Sequence, residues 1–319
     1  MKNQRSGLEM FAEKKWGVFH HYLYPLFCPE EGEAPSWNDT VNSIDVERLA
    51  YRLHKMNAGY YFITLMQGTN HMLAPNATYD AIAGTKPGEA CAIRDIPMEL
   101  SEALAKYDID LCLYYTGDGP WKEKRILEKF GSVLPLQPVS EEFVKNWAAV
   151  LEEYAVRYGD RVKAWWIDGC YGRPAPHRPE CAYYYTDELL SYYYDAIKRG
   201  NPHAAVAFND GVDYLVHKYY AREEYTAGES RGIREKNPQT GMLDGALHHV
   251  LFPLGVSENF AGGAWACPGV KYRNDHLLQY IKRMNALGGA VTVDVKVEVD
   301  GGFDPEQEET LRWIGANLS

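Results

Sequence analysis

The chain has few basic residues for its length, and it contains no long apolar run. Among its 319 residues, 33 Lys and Arg stand against 44 Asp and Glu, which gives a formal net charge of −11. This deficit of basic residues argues against nucleic acid or an anionic membrane as the main partner. No stretch approaches the length of a membrane span, and the N-terminal residues lack the apolar core of a signal peptide. We therefore expect a cytoplasmic protein with no membrane partner.

Paired cysteines and several common site motifs are also missing. The six cysteines form no CxxC pair and are scattered over Cys28, Cys91, Cys112, Cys170, Cys181 and Cys267. This scatter predicts reduced thiols rather than disulfides or a zinc site. The absence of HxH, HExxH, GxGxxG, GxxxxGK(S/T) and GxSxG argues against zinc enzymes, nucleotide-binding folds and serine hydrolases. We expect no metal and no cofactor.

The sequence does contain a regular alternation of short apolar runs with longer amphipathic stretches. Runs rich in β-branched and aromatic residues predict strands at Trp16–His21, Gly59–Met66, Ile109–Tyr115, Val162–Asp168, Ala204–Asn209 and Gly289–Val295, with weaker signals at Tyr225–Ala227 and His248–Phe252. Helical patterns lie between them, at Val46–Met56, Pro97–Lys106, Ser140–Tyr158, Thr186–Arg199 and Asn274–Leu287. No linker or internal repeat interrupts this order. The alternation predicts an α/β fold, a single-domain (β/α)8 barrel of the TIM type over residues 1–319.

In such a barrel the active site lies at the carboxyl ends of the strands. Nearly every predicted strand ends beside a carboxylate, an imidazole or an aromatic ring. The predicted substrate-binding residues are His21, Gln67, Asn70, His71, Tyr115, Trp121, Trp166, Asn209, Trp37 and Trp265. Because side chains alternate along a strand, only one of His20 and His21 can point into the barrel, and Trp166 shares the face of Asp168.

Aromatic residues make up 13% of the chain, with 24 Tyr and 8 Trp. Such rings stack on sugars, but they also fill cores, and composition alone favours a large aromatic core. Three tryptophans fall in loops that are predicted at the mouth of the site: Trp37, Trp121 and Trp265. Each of them either stacks on a sugar or aglycone or anchors its own loop against the barrel.

Asp168 is the strongest single candidate for a catalytic role. It follows Trp165, Trp166 and Ile167, and a buried carboxylate in that setting is costly unless it has a partner or a function. The alternatives are a helix N-cap or a loop ion pair. Carboxylates in an aromatic pocket, without a metal or nucleophile motif, point to glycoside hydrolysis, in which two carboxyl groups flank the scissile bond.

Four acidic residues are candidates for the second carboxyl group. Glu229 follows a strand-like stretch and is expected across the pocket from Asp168, and Glu258 in a glycine-rich loop is the alternative acid/base. Asp210 adjoins the fifth strand and can also be read as a helix cap. Glu223 lies in the charged stretch AREEY, which is more typical of a solvated helix end than of a catalytic group.

Several segments resemble the catalytic barrel of the alpha-L-fucosidase family. They are KKWGVFHHYLY at the first strand, Ile93–Trp121, Tyr154–Gly169, AFND at Ala207–Asp210, EYTAGE ending at Glu229, and Leu287–Leu318. The resemblance implies a retaining exo-glycosidase that releases a terminal sugar, with Asp168 as the nucleophile and Glu229 as the acid/base. It also implies that His21 contacts the sugar and that the partner is a glycoside or an oligosaccharide.

The chain departs from the family pattern at the sugar contacts. The family's His-His pair after the second strand corresponds to Gln67 and Gly68 here, so that contact is either lost or replaced by Gln67, Asn70 or His71. Two further departures are Tyr22 in place of a tryptophan and Gly211 in place of an arginine. These departures leave two alternatives open. One is a glycosidase of the same fold that acts on another sugar such as galactose or arabinose, and the other is an inactive sugar-binding homologue.

Overall fold

The computed structural model describes residues 5–23, 36–132, 138–172, 183–211, 215–233, 239–257 and 264–318. Its strands are β1 Trp16–His20, β2 Tyr60–Thr64, β3 Asp110–Thr116, β4 Val162–Asp168, β5 Ala205–Phe208, β6 Met242–Leu243, β7 Ala246–Leu247, β8 His249–Pro253 and β9 Ala290–Val295. Its helices are α1 Gly7–Lys14, α2 Trp37–Asn42, α3 Val46–Lys55, α4 Ala77–Ala83, α5 Ile96–Ala105, α6 Lys124–Lys129, α7 Glu141–Tyr158, α8 Asp187–Gly200, α9 Asn274–Ala286 and α10 Pro305–Asn317.

Seven strands form one parallel sheet in the order β5-β4-β3-β2-β1-β9-β8. The sheet strands are buried along nearly their whole length, as expected for a parallel sheet that is covered on both faces. Parallel pairing places all seven carboxyl ends at the same edge of the sheet. The weak strand signal at His248–Phe252 corresponds to β8, which is a full member of this sheet.

The segment Glu224–Ser230 lies between the two outer strands of the sheet and completes the ring. Its first residue donates a backbone N–H to Val206 of β5, and its later residues exchange backbone hydrogen bonds with Leu247 and Leu251. Isolated parallel bridges join Tyr225 to Leu247 of β7 and Glu229 to Leu251 of β8. The predicted (β/α)8 fold class is therefore confirmed, with this segment in the position of the remaining strand.

Two consecutive glutamates take the place of a regular strand ladder at the edge of β5. Glu224 Oε2 accepts the backbone N–H of Val206 at 2.9 Å, and Glu223 Oε2 accepts that of Phe208 at 3.1 Å. Glu223 also accepts the backbone N–H of Tyr219 at 2.7 Å and is only 2% exposed. The prediction that Glu223 is a solvated helix end is therefore wrong, because the unpaired N–H groups of an outer strand require buried acceptors.

Burial raises the pKa of Glu223 to about 8, although backbone N–H groups of Phe208, Tyr219 and Tyr220 oppose the rise. A carboxyl whose pKa is higher in the folded state contributes stability that is complete below the unfolded value and is lost as pH rises through about 8. We expect the free energy of unfolding of wild type, relative to that of Glu223→Gln, to fall by roughly 1–3 kcal/mol between about pH 5 and pH 9. Urea unfolding of both proteins across that range measures it. A pH-independent difference would contradict the expectation.

The amino-terminal end of the barrel is closed by α1. A capping box between Ser6 and Glu9 starts this helix. The ring of Phe11 then packs into the barrel against Tyr60 and Tyr225, with centroid distances of 5.1 and 4.6 Å. The floor of the barrel is thus filled by apolar side chains, and any ligand must enter from the carboxyl ends of the strands.

Two further observations bear on the sequence predictions. Within the described ranges Cys91, Cys112, Cys170 and Cys267 are buried free thiols. None of the helices in those ranges is long and apolar enough to cross a membrane. The predictions for Cys28, Cys181 and Glu258 concern residues outside the described ranges.

Candidate active site

Asp168 ends β4 and turns its carboxylate into the mouth of the barrel. Its Oδ2 accepts hydrogen bonds from the Tyr114 hydroxyl at 2.5 Å and from Gln67 Nε2 at 3.0 Å. Its Oδ1 accepts one from Asn209 Nδ2 at 2.7 Å. Burial and the adjacent Asp168 charge raise the pKa of Tyr114 well above its usual value, so that its hydroxyl remains a donor. Three donors hold this buried carboxylate in one orientation.

Asn209 connects Asp168 to Glu229. The same Nδ2 that contacts Asp168 also donates to Glu229 Oε2 at 2.5 Å. The two carboxyl oxygens are therefore no farther apart than these two hydrogen bonds laid end to end. Glu229 reaches this position because Tyr225 and Ala227, four and two residues earlier, pack in the barrel interior, and alternation turns Glu229 the same way. The structure brings together two carboxylates from β4 and from the ring-closing segment.

His21, rather than His20, points into the barrel. His21 Nδ1 lies 2.6 Å from Oδ1 of Asp294 on β9, and its ring lies 5.7 Å from the ring of Trp265. His20 faces the helices instead, where its Nδ1 contacts the Tyr61 hydroxyl at 2.9 Å. Burial lowers the pKa of His20 to about 3, so this imidazole is neutral. The alternation argument thus assigns the two histidines to opposite faces, as the sequence predicts.

Trp166 lies beneath Asp168 as part of the floor of the site. Its ring stacks on Tyr114 at 5.3 Å, and its Nε1 donates to the Ala227 carbonyl at 3.0 Å. Only 3% of Trp166 is exposed. Its position supports Tyr114 from below, so any contact with a substrate is limited to the upper edge of the ring.

Tyr115 does not lie in the site, in contrast to the sequence prediction. Its hydroxyl donates to the Trp147 carbonyl at 3.0 Å, and its ring stacks on Trp147 between the sheet and α7. The residue that reaches Asp168 is its neighbour Tyr114. The register of β3 with β4 explains this, because Tyr114 and Thr116 are the residues that pair with Trp166 and Asp168.

The remaining predicted contacts after β2 lie farther along the loop. Asn70 receives a hydrogen bond on its backbone carbonyl from the Tyr79 hydroxyl at 3.5 Å. His71 lies 5.9 Å from the ring of Trp37, and burial lowers the pKa of His71 to about 4. Of the predicted residues in this loop, Gln67 is the one that contacts Asp168.

The three tryptophans that were predicted in loops have different surroundings. For Trp37 the prediction is wrong, because this residue begins α2. Trp37 is buried, and its Nε1 donates to the Met72 carbonyl at 2.7 Å, which joins the start of this helix to the loop after β2. Trp121 is half-buried against Gly68 and packs on Tyr171 and Tyr183. Trp265 stands beside His21. Trp265 is thus adjacent to His21, a predicted sugar contact, whereas Trp37 joins α2 to the loop after β2.

These positions predict different effects for two alanine variants. Trp265→Ala is expected to raise KM for a glycoside about 3- to 10-fold, because a stacked ring contributes roughly 0.5–1.5 kcal/mol. Trp37→Ala is expected to destabilise the fold by roughly 3–5 kcal/mol through the cavity it leaves. Steady-state kinetics and urea unfolding of both variants separate the two effects. An unchanged KM in a folded Trp265→Ala protein would remove Trp265 from the site.

Neither of the other two acidic candidates in the described ranges, Asp210 and Glu223, is hydrogen-bonded to Asp168. Asp210 faces His217, with 3.5 Å between Oδ2 and Nε2, on the wall of a pocket that also includes Glu229. Glu223 holds backbone groups, as described above. Glu258 lies outside the described residues. Among the described candidates, Glu229 is the acidic residue that shares a donor with Asp168.

Two residues of the site were not among the sequence predictions. Tyr114 is the neighbour of the predicted Tyr115. In the β3–β4 pairing Tyr114 lies opposite Trp166, two residues before Asp168, so alternation along both strands turns Tyr114 toward the site. Asp294 lies in the apolar stretch AVTVDV, where an isolated acidic residue is the same signal that singles out Asp168. Asp294 is fully buried in the structure.

No family model and no curated protein matches the chain. Solved structures do share its fold. The endo-fucoidan hydrolase MfFcnA4 of glycoside hydrolase family 107 matches with a TM-score of 0.70 and 14% identity, over 99% of this chain and 54% of that one. This chain therefore spans about half the length of that protein.

Two further structures match over most of both chains. P5AFcnA, another endo-fucoidan hydrolase of family 107, has a TM-score of 0.67 and 12% identity, over 97% of this chain and 93% of that one. An alpha-L-fucosidase of family GH29 from Bacteroides thetaiotaomicron, captured as a trapped covalent intermediate, has a TM-score of 0.65 and 16% identity, over 97% and 74%. At these identities the likeness establishes the fold, which is the barrel fold of these glycoside hydrolases.

Proposed function

We propose that the chain is a retaining glycoside hydrolase that releases a terminal sugar. The observation that carries the proposal is the shared donor: Asn209 Nδ2 contacts both Asp168 and Glu229 at the open end of the barrel. Two carboxyl groups about 5–5.5 Å apart are typical of retaining enzymes. The Asn209 bridge keeps the two bridged oxygens no farther apart than that distance.

The proposed reaction has two steps. Asp168 attacks the anomeric carbon while the glycosidic bond breaks, and the leaving oxygen takes the proton of Glu229. This forms a glycosyl ester on Asp168 and leaves Glu229 ionised. Glu229 then takes a proton from water, the resulting hydroxide attacks the anomeric carbon, and the ester bond breaks to return Asp168 to its carboxylate. Both carboxyl groups regain their starting protonation states.

The residues around Asp168 suit a nucleophile. Tyr114, Gln67 and Asn209 donate to it and hold it in one orientation at the base of the mouth. Such preorganised donors keep the carboxylate aligned for attack without further rearrangement. The structure of a fold neighbour as a trapped covalent intermediate supports a covalent route for this fold.

For the sugar, we propose an alpha-L-fucoside or a close relative. The names of the fold neighbours, an alpha-L-fucosidase and endo-fucoidan hydrolases, support this class. An aromatic floor of Phe19, Tyr114 and Trp166 lies beneath the site and makes its base apolar, which suits a sugar ring that carries a methyl group. Replacement of the family's His-His pair by Gln67 and Gly68 keeps galactosides and arabinosides as the competing substrates.

A panel of aryl glycosides tests the proposal. We expect turnover of at least one α-glycoside, with the fucoside first, and release of the sugar with the anomeric configuration of the substrate, as followed by proton NMR in the first minutes. An inverted first product would refute the retaining mechanism. Absence of turnover across the panel, together with measurable binding of a free sugar, would identify a sugar-binding homologue.

A further inference from the structure

Asp294 is a fully buried carboxylate that the two-step mechanism does not use. It stands at the carboxyl end of β9, and both of its oxygens are engaged. Oδ1 lies 2.6 Å from His21 Nδ1, and Oδ2 accepts the backbone N–H of Ala266 at 2.8 Å. A buried acidic group held from both sides in the mouth of the barrel calls for a function of its own.

The contacts of Asp294 determine the proton position on His21. A backbone N–H can only donate, so Oδ2 must act as an acceptor toward Ala266. A carboxylate accepts on its other oxygen as well, so His21 Nδ1 carries the hydrogen of the 2.6 Å contact. In a neutral imidazole the other nitrogen, Nε2, is then an acceptor.

The same carboxylate also positions the loop that carries Trp265. Ala266 has a φ of +52°, a left-handed conformation that is unfavourable for alanine. This conformation accompanies the N–H contact to Asp294, and the preceding residue, Trp265, lies with its ring 5.7 Å from that of His21. Asp294 therefore organises two neighbouring groups, an imidazole and an indole.

The corner formed by His21 and Trp265 adjoins the candidate nucleophile. The ring of His21 lies 5.9 Å from that of Tyr114, whose hydroxyl contacts Asp168. Phe19 packs against His21 from the layer below, at 4.4 Å between ring centroids. This corner therefore borders the space beside Asp168 in which the proposed function places the sugar.

We propose that Asp294 is a positioning residue that determines substrate specificity: by holding the hydrogen of His21 on Nδ1, it makes Nε2 an acceptor that selects a sugar hydroxyl able to donate. The inference rests on the proposed function for its substrate class. The tautomer of His21 follows from the contacts of Asp294 alone and can be measured separately.

Asparagine at position 294 inverts this arrangement. Its single carbonyl oxygen can accept from only one side, and the Ala266 N–H requires an acceptor. The amide NH2 group then faces His21 Nδ1 and donates to it, so that the hydrogen of His21 moves to Nε2. Asp294→Asn therefore converts the group that faces the sugar from an acceptor to a donor, with almost no change in volume.

Histidine NMR provides the first test. In protein labelled at histidine nitrogens, we expect the signal that disappears in His21→Gln to have Nδ1 protonated and Nε2 unprotonated in wild type. The pattern is expected to be reversed in Asp294→Asn. Protonation of Nε2 in the wild-type protein, whether as the other tautomer or as imidazolium, would overturn the inference regardless of activity.

Substrate analogues provide the second test. Deoxy analogues identify the hydroxyl that contacts His21. It is the hydroxyl whose removal lowers kcat/KM most in wild type and least in His21→Gln. Neither analogue can donate at that position, but fluorine also turns its lone pairs toward the acceptor nitrogen. The ratio of the two analogues in His21→Gln gives the intrinsic effect of fluorine on reaction at the anomeric carbon. Relative to that ratio, wild type is expected to turn over the deoxyfluoro analogue at least about tenfold less well than the deoxy analogue. Asp294→Asn is expected to abolish this preference, because its Nε2–H can face fluorine.

Thr292→Val is the matched control, because Thr292 points inward one layer below Asp294 on the same strand and contacts His249 and Tyr60 instead. It should keep the wild-type ratio between the two analogues. An unchanged ratio in folded Asp294→Asn would refute the specificity role. If no glycoside is turned over by wild type, the proposed function fails, and the NMR measurement alone decides the role of Asp294.

Discussion

Asp168→Ala is expected to lower kcat/KM on activated aryl glycosides by at least about 10⁴-fold, the scale seen when a catalytic nucleophile is removed. The side chain is buried at the end of β4 and is held by Tyr114, Gln67 and Asn209. Without the carboxylate, no group in this cradle can form the glycosyl ester. Because the loss concerns bond formation itself, good and poor leaving groups should be affected alike.

Azide gives the Asp168 experiment a chemical signature. In Asp168→Gly the anion can enter the space of the missing carboxylate and attack the anomeric carbon from the same side. The product should be a glycosyl azide of inverted configuration, which NMR identifies. Retained turnover without azide would rule out Asp168 as the nucleophile.

The barrel offers a matched control for this variant. Asp110 also faces inward, but it begins β3 at the opposite end of the barrel, where its Oδ2 accepts from Arg5 at 2.9 Å. Burial raises the pKa of Asp110, and the Arg5 charge opposes that rise. Asp110→Asn is expected to reduce stability and to leave kcat/KM unchanged, since the amino-terminal end of such barrels serves stability.

The fold and the position of Asp168 could be predicted because both depend on local patterns. Apolar runs bounded by turn residues define strands, and an acidic residue after WWI stands out against its neighbours. Two-residue alternation then separates His21 from His20. To apply the same rule from β4 to β3, the register of the two strands must be known, and it includes a shift near Leu111. The sequence does not show this register, which is why Tyr115 was predicted in the site instead of Tyr114.

Contacts between distant segments were beyond the reach of local patterns. His21 and Asp294 are separated by 273 positions, and Asn209 joins two carboxylates from different segments. Glu223 shows the converse problem, because its charged neighbours suggest solvent while the unpaired backbone of β5 requires a buried acceptor. In each case the partner is determined by the closure of the barrel rather than by nearby residues.

The acid/base assignment makes the second large prediction. Glu229→Ala is expected to lower kcat/KM for glycosides with poor leaving groups by about 10²–10⁴-fold, the usual contribution of a positioned general acid. Activated aryl glycosides should lose far less, since their leaving groups depart without a proton. On these substrates the glycosyl ester on Asp168 should accumulate, because Glu229 is also the base that activates water, and mass spectrometry should detect it.

Glu224→Gln serves as the control for this variant. Glu224 lies five residues earlier on the same segment, but it accepts from the Tyr194 hydroxyl at 2.6 Å and pairs with Lys198 on α8, away from Asn209. We expect Glu224→Gln to keep the leaving-group dependence of wild type. A similar change in Glu224→Gln would indicate that the effect arises from distortion of the segment rather than from loss of an acid.

Azide distinguishes Glu229 from Asp168 by stereochemistry. In Glu229→Ala the nucleophile is intact, so azide attacks the glycosyl ester from the opposite face and the product should be a glycosyl azide that retains the configuration of the substrate. The Asp168→Gly product has the inverted configuration, and one NMR assay therefore separates the two roles. Equal losses on good and poor leaving groups, with no azide rescue, would remove Glu229 as the acid. The same assay on Glu258→Ala would then test Glu258, the alternative acid/base that the sequence proposes. This remains possible because Asp168 still forms the glycosyl ester, so loss of the true acid still gives a glycosyl azide of retained configuration.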